Sequence, residues 1–411
     1  MKKEELKPFS KRISICRVKD SKTGKAKQIK KMVKVFAKSK KEADAKFDEI
    51  KKQQRAKILK IKDQRSLAEV IVSYYEENTH FSVNTVVKRQ WYRKIIEAEF
   101  GDTLVYSIEG DDIKQFLKEL KDERGYGEET LRDFRRLLND YFEFALINKY
   151  ISENPMNELK KFDIGKRVNL RRIQKDLTSD DVKRVIKYIF NHKTDRSYSL
   201  ELKVQILLTL EGCLRPTELY ALTWNDIDLE EGSMSITKDL TVITQKDAKE
   251  LNLPRISIGE TKTYGSNRKI PLSNQTIRML TAFKQESDNY IRKHKCKNTT
   301  EILFFQRRNI PKDGQVEYAY GSGLRSRLGK ISKYLLPDKS NCRVHPYALR
   351  KLSDTERENA AGIPKRVTEY VMGHNGNPLD LRYVEDYYSL AKKTLPEWEK
   401  ILEEIIGNKT K

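Results

Sequence analysis

The chain has 411 residues, with 83 Lys+Arg against 60 Asp+Glu and a formal net charge of +23. That length predicts two or three domains, and so large a positive excess points to a polyanionic partner, most often nucleic acid, with a merely solubilising surface as the plain alternative. No stretch approaches the ~20 apolar residues of a membrane span, the opening MKKEELKPFSKR lacks the apolar core of a signal peptide, and Cys16, Cys213, Cys296 and Cys342 show no zinc spacing. A cytoplasmic chain with free thiols, no membrane partner and no metal is expected.

Residues 1–60 read as a small sheet of two or three short strands plus a helix. Ile13 and Ile15 alternate with polar neighbours, and DSKTGK (Asp20 to Lys25) offers a turn with Gly24 free to take positive φ. MVKVF (Met32 to Phe36) is a further strand, and after Ser39 the residues Ala43, Phe47 and Ile50 keep helical spacing. A basic sheet backed by one helix suits a DNA groove; a solvated appendage is the alternative.

Residues 64–160 read as an all-helical domain. Ser66 and Glu69 make a capping box before LAEVIVSYYEE. Helices follow at VNTVVKRQWYRKIIEAEF, GDDIKQFLKELKDERG and EETLRDFRRLLNDYFEFALINKYI, with Asn154 and Pro155 expected to close the last. Their exposed faces are expected to carry Lys88, Arg89, Arg93, Lys94, Arg132, Arg135 and Arg136, with Trp91 and Tyr92 between them. That mixture suits phosphate contacts with aromatic support, although ordinary helix-surface charge reads the same way. A basic linker follows over residues 161–176, where Arg171 and Arg172 would lie along a DNA backbone.

Residues 177–400 read as a mixed α/β domain, mostly helical, with 401–411 as a tail. Thr178 and Asp181 signal a helix start, and LKVQILLTL (Leu202 to Leu210) is apolar on nearly every face, as a buried helix is. Gly212 can end that helix and Pro216 can begin the next. Arg215 stands between them, where desolvating a charge is costly unless it is paired. An arginine fork beside backbone N–H groups favours an anion, and Glu218 one turn on can orient it; a simple Arg215–Glu218 pair is the alternative.

A strand-rich block runs from Ser233 to Leu272. In it ETKTYGSNRKIPL reads as a hairpin: PRISIGE enters, Gly265 and Ser266 turn, RKIPL leaves, and Lys262 stands at the rim. With its pKa lowered by neighbouring positive charge, that lysine could protonate a leaving oxygen. VHPYALRKLSDTEREN puts Arg350 early in a helix after Pro346. GIPKRVTEYVMGHNGNPLDLRYVEDYYSLA puts Gly373-His374 at a helix end, then a loop, then a helix with Tyr383, Tyr387 and Tyr388. Taken alone, a lone histidine is usually structural and such tyrosines usually pack. The final LPEWEKILEEII is amphipathic and can cover its own domain or a neighbour.

GCLRPTELYALTWNDID, the lysine segment, PYALRK, VMGH and a downstream tyrosine resemble, in this order and over about residues 175–395, the tyrosine recombinases or phage-type integrases. The helical second zone resembles that family's core-site-binding domain. The first zone is similar to the arm-site-binding domain of integrases from phages and conjugative transposons. The resemblance implies a multidomain, mainly α fold with α+β parts, and site-specific DNA strand exchange for integration and excision. A tyrosine would attack a phosphodiester to give a 3′-phosphotyrosyl link and a free 5′-hydroxyl, and a partner strand's hydroxyl would then attack that link. Two transesterifications conserve bond energy, so no cofactor is implied.

Carried over by motif, Arg215 and Arg350 would hold the pentavalent phosphate. Lys262 would be the general acid toward the 5′-oxygen. His374 would donate to a phosphate oxygen or position the nucleophile, and Glu218 would orient Arg215. Where the family usually has histidine three residues before the second arginine, this chain has Tyr347. A phenol can donate to phosphate but is a poor base near neutral pH. The family's usual spacing, nine residues after the histidine, lands on Tyr383 as nucleophile. An insertion in NGNPLD would favour Tyr388, with Tyr387 third. The implied partners are duplex DNA at core-type and arm-type sites, three further copies in a homotetramer, an excisionase and a host DNA-bending protein. A catalytically inactive DNA-binding relative and a type IB topoisomerase-like enzyme are the alternatives.

Overall fold

A computed structural model describes residues 7–19, 26–58, 64–161, 177–192, 199–261, 266–307, 313–320, 322–339, 343–374 and 384–407. The chain divides into two compact units, Met1–Val168 and Asn169–Lys411.

The first unit opens with two antiparallel strands, β1 (Lys7–Lys19) and β2 (Ala26–Ala37), backed by α1 (Lys40–Ile58). Both strands are longer than their sequence signals. Ile13, Val33, Val35 and Ala37 share one face, because directly paired residues point the same way, and they pack on Ala43 and Phe47 of α1. Met32 and Phe36 lie on the opposite face and are exposed. The DSKTGK turn lies outside the described residues.

Four helices follow: α2 (Leu67–Glu77), α3 (Val83–Phe100), α4 (Gly110–Asp122) and α5 (Glu128–Ile147). The Ser66–Glu69 capping box forms, with Glu69 taking the Ser66 amide at 2.8 Å. Leu67, Ile71, Ile96, Phe116, Phe134, Leu138 and Tyr141 fill the centre. One expected boundary is corrected. Helix α5 ends at Ile147, not at Asn154-Pro155, because Lys149 turns left-handed (φ 60°) and the Tyr150 amide reaches back to the Ala145 carbonyl at 2.8 Å. Asn154 is instead buried and accepts from the Met156 amide at 2.9 Å, starting a 3₁₀ turn over Pro155–Lys161.

The second unit contains α6 (Ser179–Asn191), α7 (Leu200–Glu211), α8 (Pro216–Ala221), β3 (Ile227–Asp228), β4 (Ser233–Ile236), β5 (Lys238–Val242), α9 (Gln245–Leu251), β6 (Ile256–Glu260) and β7 (Arg268–Pro271). It continues with α10 (Asn274–His294), α11 (Ser322–Leu335), α12 (Pro346–Asn359), α13 (Lys365–Met372), α14 (Val384–Lys393) and α15 (Leu395–Ile406). Helix α7 is the axis: Val204 through Glu211 are all buried, with α10 and α12 packed on it. The one carboxylate on that stretch, Glu211, accepts from the Thr276 hydroxyl at 2.8 Å and from Ser273, and burial pushes its pKa up.

The expected hairpin at Gly265-Ser266 is a second correction. β6 and β7 do not pair with each other: β6 pairs antiparallel with β5, and β7 pairs antiparallel with β4. Glu260 lies opposite Lys238 and Arg268 lies opposite Ile236. β6 and β7 therefore run the same way against β5 and β4, and the described pairing stops at Glu260 and resumes at Arg268. Two strand signals flanking a Gly-Ser turn look like a hairpin locally; the longer-range partner strand β4–β5 decides otherwise.

Helix α15 packs into its own unit, burying Trp398, Leu402, Ile405 and Ile406 in the main core. The Arg357 guanidinium lies over the Trp398 ring at 3.9 Å. Trp398→Ala is expected to destabilise the second unit by about 3–5 kcal/mol, measured as a shift in the denaturant midpoint. An unchanged midpoint would mean this helix is not seated in its own core.

Candidate active site

The site begins where α7 stops. Gly212 caps it, Cys213 turns left-handed (φ 46°), and Arg215 becomes the N-cap of α8 with Pro216 at the first helical position. Glu218 is fully buried and grips Arg215 twice, taking its amide at 2.9 Å and its Nη1 at 2.5 Å. The pair therefore exists, and Glu218 occupies the amide that an anion at this helix start would use. The side chain of Arg215 remains a quarter exposed, so its fork still reaches the surface. Burial raises the Glu218 pKa, but Arg268 and Arg215 outweigh it and hold the carboxyl below its usual range.

Arg350 comes from α12 and is buried. It donates to the Cys213 carbonyl, to the Met372 carbonyl at 2.7 Å, and from Nη2 to the His374 Nε2 at 3.1 Å. His374 follows the left-handed Gly373 cap of α13. A guanidinium can only donate, so Nε2 accepts here and the ring proton sits on Nδ1. Desolvation, then Arg350 and Arg215, hold the His374 pKa below its usual value. In the protein without DNA, its NMR titration is expected below about pH 6.5, the ordinary value. Below that pH the unfolded chain binds a proton the folded one resists, so this group's contribution to stability falls as pH drops. A titration at or above the ordinary value would contradict this arrangement.

Burial and the nearby Arg215 charge also press the Arg350 pKa down. Three guanidiniums, Arg215, Arg268 and Arg350, thus gather around Glu218. Asp239 on β5 is the second carboxylate acting on Arg215, hydrogen-bonded to Thr217 and with its pKa raised by burial. Asp354 and Glu369 act on the His374 side of the cluster, opposing the arginines there.

Lys262, Tyr383, Arg171 and Arg172 lie outside the described residues. Tyr347 stands one turn before Arg350 with its side chain exposed, beside the His345 ring at 6.4 Å. Tyr387 stacks on Tyr370 at 5.6 Å. The Tyr388 hydroxyl donates to Glu231 at 2.8 Å, and Lys269, itself paired with Glu231, lies over the Tyr388 ring at 5.1 Å. Desolvation and Glu231 push the Tyr388 phenol up to about 12, away from what a nucleophile needs.

In the helical domain, Arg89, Arg93, Arg132 and Arg135 are half-buried rather than free on the surface. Arg89 binds Asp140 at 2.9 Å and the Tyr74 hydroxyl at 2.8 Å; Arg93 pairs with Glu97, and Arg132 with Glu128. Arg135 donates to the Leu159 carbonyl at 2.9 Å. Lys88 and Arg136 stay exposed while touching Asp133, and Trp91 is exposed beside them. Glu97 and Glu128 lie on the same helices as their arginines, at a spacing the sequence displays, whereas Asp140 and the Leu159 carbonyl are set against Arg89 and Arg135 from elsewhere in the chain.

Sequence reasoning missed Arg268, whose side chain is fully buried against Glu218 at 2.9 Å. The available signal was an arginine opening a strand whose other inward residue, Ile270, is apolar.

Small antiparallel sheets set in a mainly helical unit, following helical and sheet-plus-helix modules, define the class: a multidomain protein of tyrosine recombinase fold. Residues 175–393, more than half of the chain, match the model of the phage integrase family, and the chain belongs to that family. It is 24% identical over 303 residues to the transposase from transposon Tn916 of Enterococcus faecalis, covering 73% of this chain and 69% of that protein. It is 26% identical over 271 residues to a tyrosine recombinase XerC-like protein of Caldanaerobacter subterraneus subsp. tengcongensis, covering 64% and 65%. Among solved structures, the fold is similar to the Tn1549 transposon integrase in complex with a circular intermediate DNA, with a TM-score of 0.55 at 19% identity over 81% of this chain and 99% of that one. The same integrase with transposon right end DNA gives 0.54 at 20% identity, over 81% and 99%.

Proposed function

We propose that the protein is a site-specific DNA recombinase of a mobile genetic element, cutting and rejoining DNA through a 3′-phosphotyrosine intermediate. The observation that carries this is the convergence of Arg215, Arg350 and His374 from three separate segments, two guanidiniums and an imidazole in one cluster. A scissile phosphate is the anion that such a set of donors suits. The two forks are set to hold its non-bridging oxygens as charge builds in the pentavalent state. His374, its ring proton on Nδ1 in the absence of DNA, gains proton affinity beside the phosphate and becomes a donor there. Glu218 fixes the aim of Arg215. Lys262 serves as general acid to the departing 5′-oxygen, and Tyr383 attacks phosphorus. Tyr347 takes the place of the family's histidine as a hydrogen-bond donor.

The substrates are two duplexes bearing core-type sites, joined by four copies of the chain, with the N-terminal sheet on arm-type sites. An excisionase and a host DNA-bending protein assist in excision. Lys88, Arg136 and Trp91 offer the exposed phosphate contacts of the helical domain. The test is recombination between two plasmids carrying the joined ends of the parent element and its target. Site-dependent cointegrates are expected. Relaxation of any supercoiled plasmid without such sites would favour a topoisomerase.

Because the Tyr388 hydroxyl is engaged by Glu231, Tyr388→Phe is expected to leave the strand-cleavage rate within about threefold, since removing one exposed hydrogen bond has a small effect. A complete loss of cleavage would transfer the nucleophile's role to Tyr388.

A further inference from the structure

Arg268 sits behind the proposed site, and its guanidinium is fully occupied. Nε donates to the Val371 carbonyl at 2.7 Å. Nη1 donates to the Ser266 carbonyl at 2.8 Å and to Glu218 Oε1 at 3.5 Å. Nη2 donates to the Gly212 carbonyl at 3.0 Å and to Glu218 Oε2 at 2.9 Å. That engages all five N–H groups an arginine has.

The acceptors are ordered. Arg268 takes the carbonyls of Gly212 and Val371, and Arg350 takes those of the next residues, Cys213 and Met372. Two guanidiniums therefore clip the same two turns together, one wholly buried and one facing the site. The first turn leads into Arg215; the second leads into His374. The inner guanidinium also holds the carbonyl of Ser266, two residues before β7 and four after Lys262 in the sequence. The Gly373 turn lies against it: a Cβ there would meet Arg268 Nη1 at 2.9 Å and the Ser266 Cα at 3.2 Å, at a φ of 64° that already favours glycine.

We propose that Arg268 is the positioning residue of the site: it sets Arg215, His374 and Ser266 in register through Glu218 and the turn carbonyls, without touching DNA. This rests on the recombinase reading above and adds a residue to it. Charge alone does not meet the need. A lysine keeps the ion pair with Glu218 but offers a single point charge with three donors, so it cannot span four segments.

The test compares the full-length wild type with Arg268→Lys, using covalent trapping on nicked duplexes from the element's ends, DNA affinity, and amide hydrogen exchange without DNA. Arg268→Lys is expected to lower the adduct rate by about 100-fold, as a misplacement near 1 Å does. DNA affinity is expected to stay unchanged, while exchange speeds up jointly in 212–215 and 371–374. In a Glu218→Gln background the same change should lower the rate far less, because the two residues act as one unit. Wild-type rate and exchange in Arg268→Lys would overturn the proposal, as would faster exchange with an unchanged rate. If Arg268→Lys does not fold, Arg268→Ala with added methylguanidinium decides: restored cleavage supports the positioning role, and a folded protein without restoration removes it. If wild type forms no adduct, the recombinase reading fails, and the exchange arm still decides whether Arg268 clips the two turns.

Discussion

Arg215→Ala is expected to abolish strand cleavage, by at least ~10³-fold given what one lost oxyanion donor costs and that a fork supplies two. DNA affinity should change by no more than about threefold, and the salt slope by about one unit, because many other cations neutralise phosphates. Arg215 is a cleaner target than Arg350. Its side chain is bonded to Glu218 and, at 3.4 Å, to Ser266. Arg350 also fastens the Cys213 and Met372 carbonyls, so removing it disturbs two turns as well as the phosphate. A pre-steady-state cleavage assay beside a filter-binding titration separates the two quantities. Parallel loss of binding and cleavage would show that Arg215 holds the duplex rather than the reacting phosphate.

Tyr383→Phe carries the other large effect: no covalent protein–DNA adduct at all, with binding intact, since a phenyl ring offers no oxygen to phosphorus. The position comes from the spacing after His374. The other two tyrosines have other partners, with the Tyr387 ring on Tyr370 and the Tyr388 hydroxyl on Glu231. An adduct that persists in Tyr383→Phe and vanishes in Tyr388→Phe would require α14 to leave the β4–β7 edge before reaction.

What the sequence made legible was local chemistry. Pro216 and Gly373 mark a helix start and a helix end by their own backbone preferences, and Gly212 stands at the end of α7, although the left-handed turn there falls on Cys213. The Ser66–Glu69 and Thr178–Asp181 caps are complete within four residues and form as read. What stayed hidden depends on partners distant in the chain. The segment around Gly265 looks like a hairpin until β4 and β5 claim its two flanks. Arg89 and Arg135 look like free surface cations until Asp140, Tyr74 and the Leu159 carbonyl are set against them. Arg268 looks like one more basic residue in a basic chain until Glu218, fifty positions away, is found on its guanidinium.

The central claim is that this chain breaks DNA by forming a bond from its own tyrosine to phosphorus. The most direct measurement is covalent trapping on nicked suicide duplexes built from the ends of the parent element, resolved on a denaturing gel and followed by mass mapping of the modified peptide. Wild type is expected to form an adduct that maps to Tyr383 and is absent in Tyr383→Phe and Arg215→Ala. Stable, site-specific binding by wild type with no adduct on the correct ends would contradict that claim, and would make the chain a DNA-binding relative that keeps the fold without the chemistry.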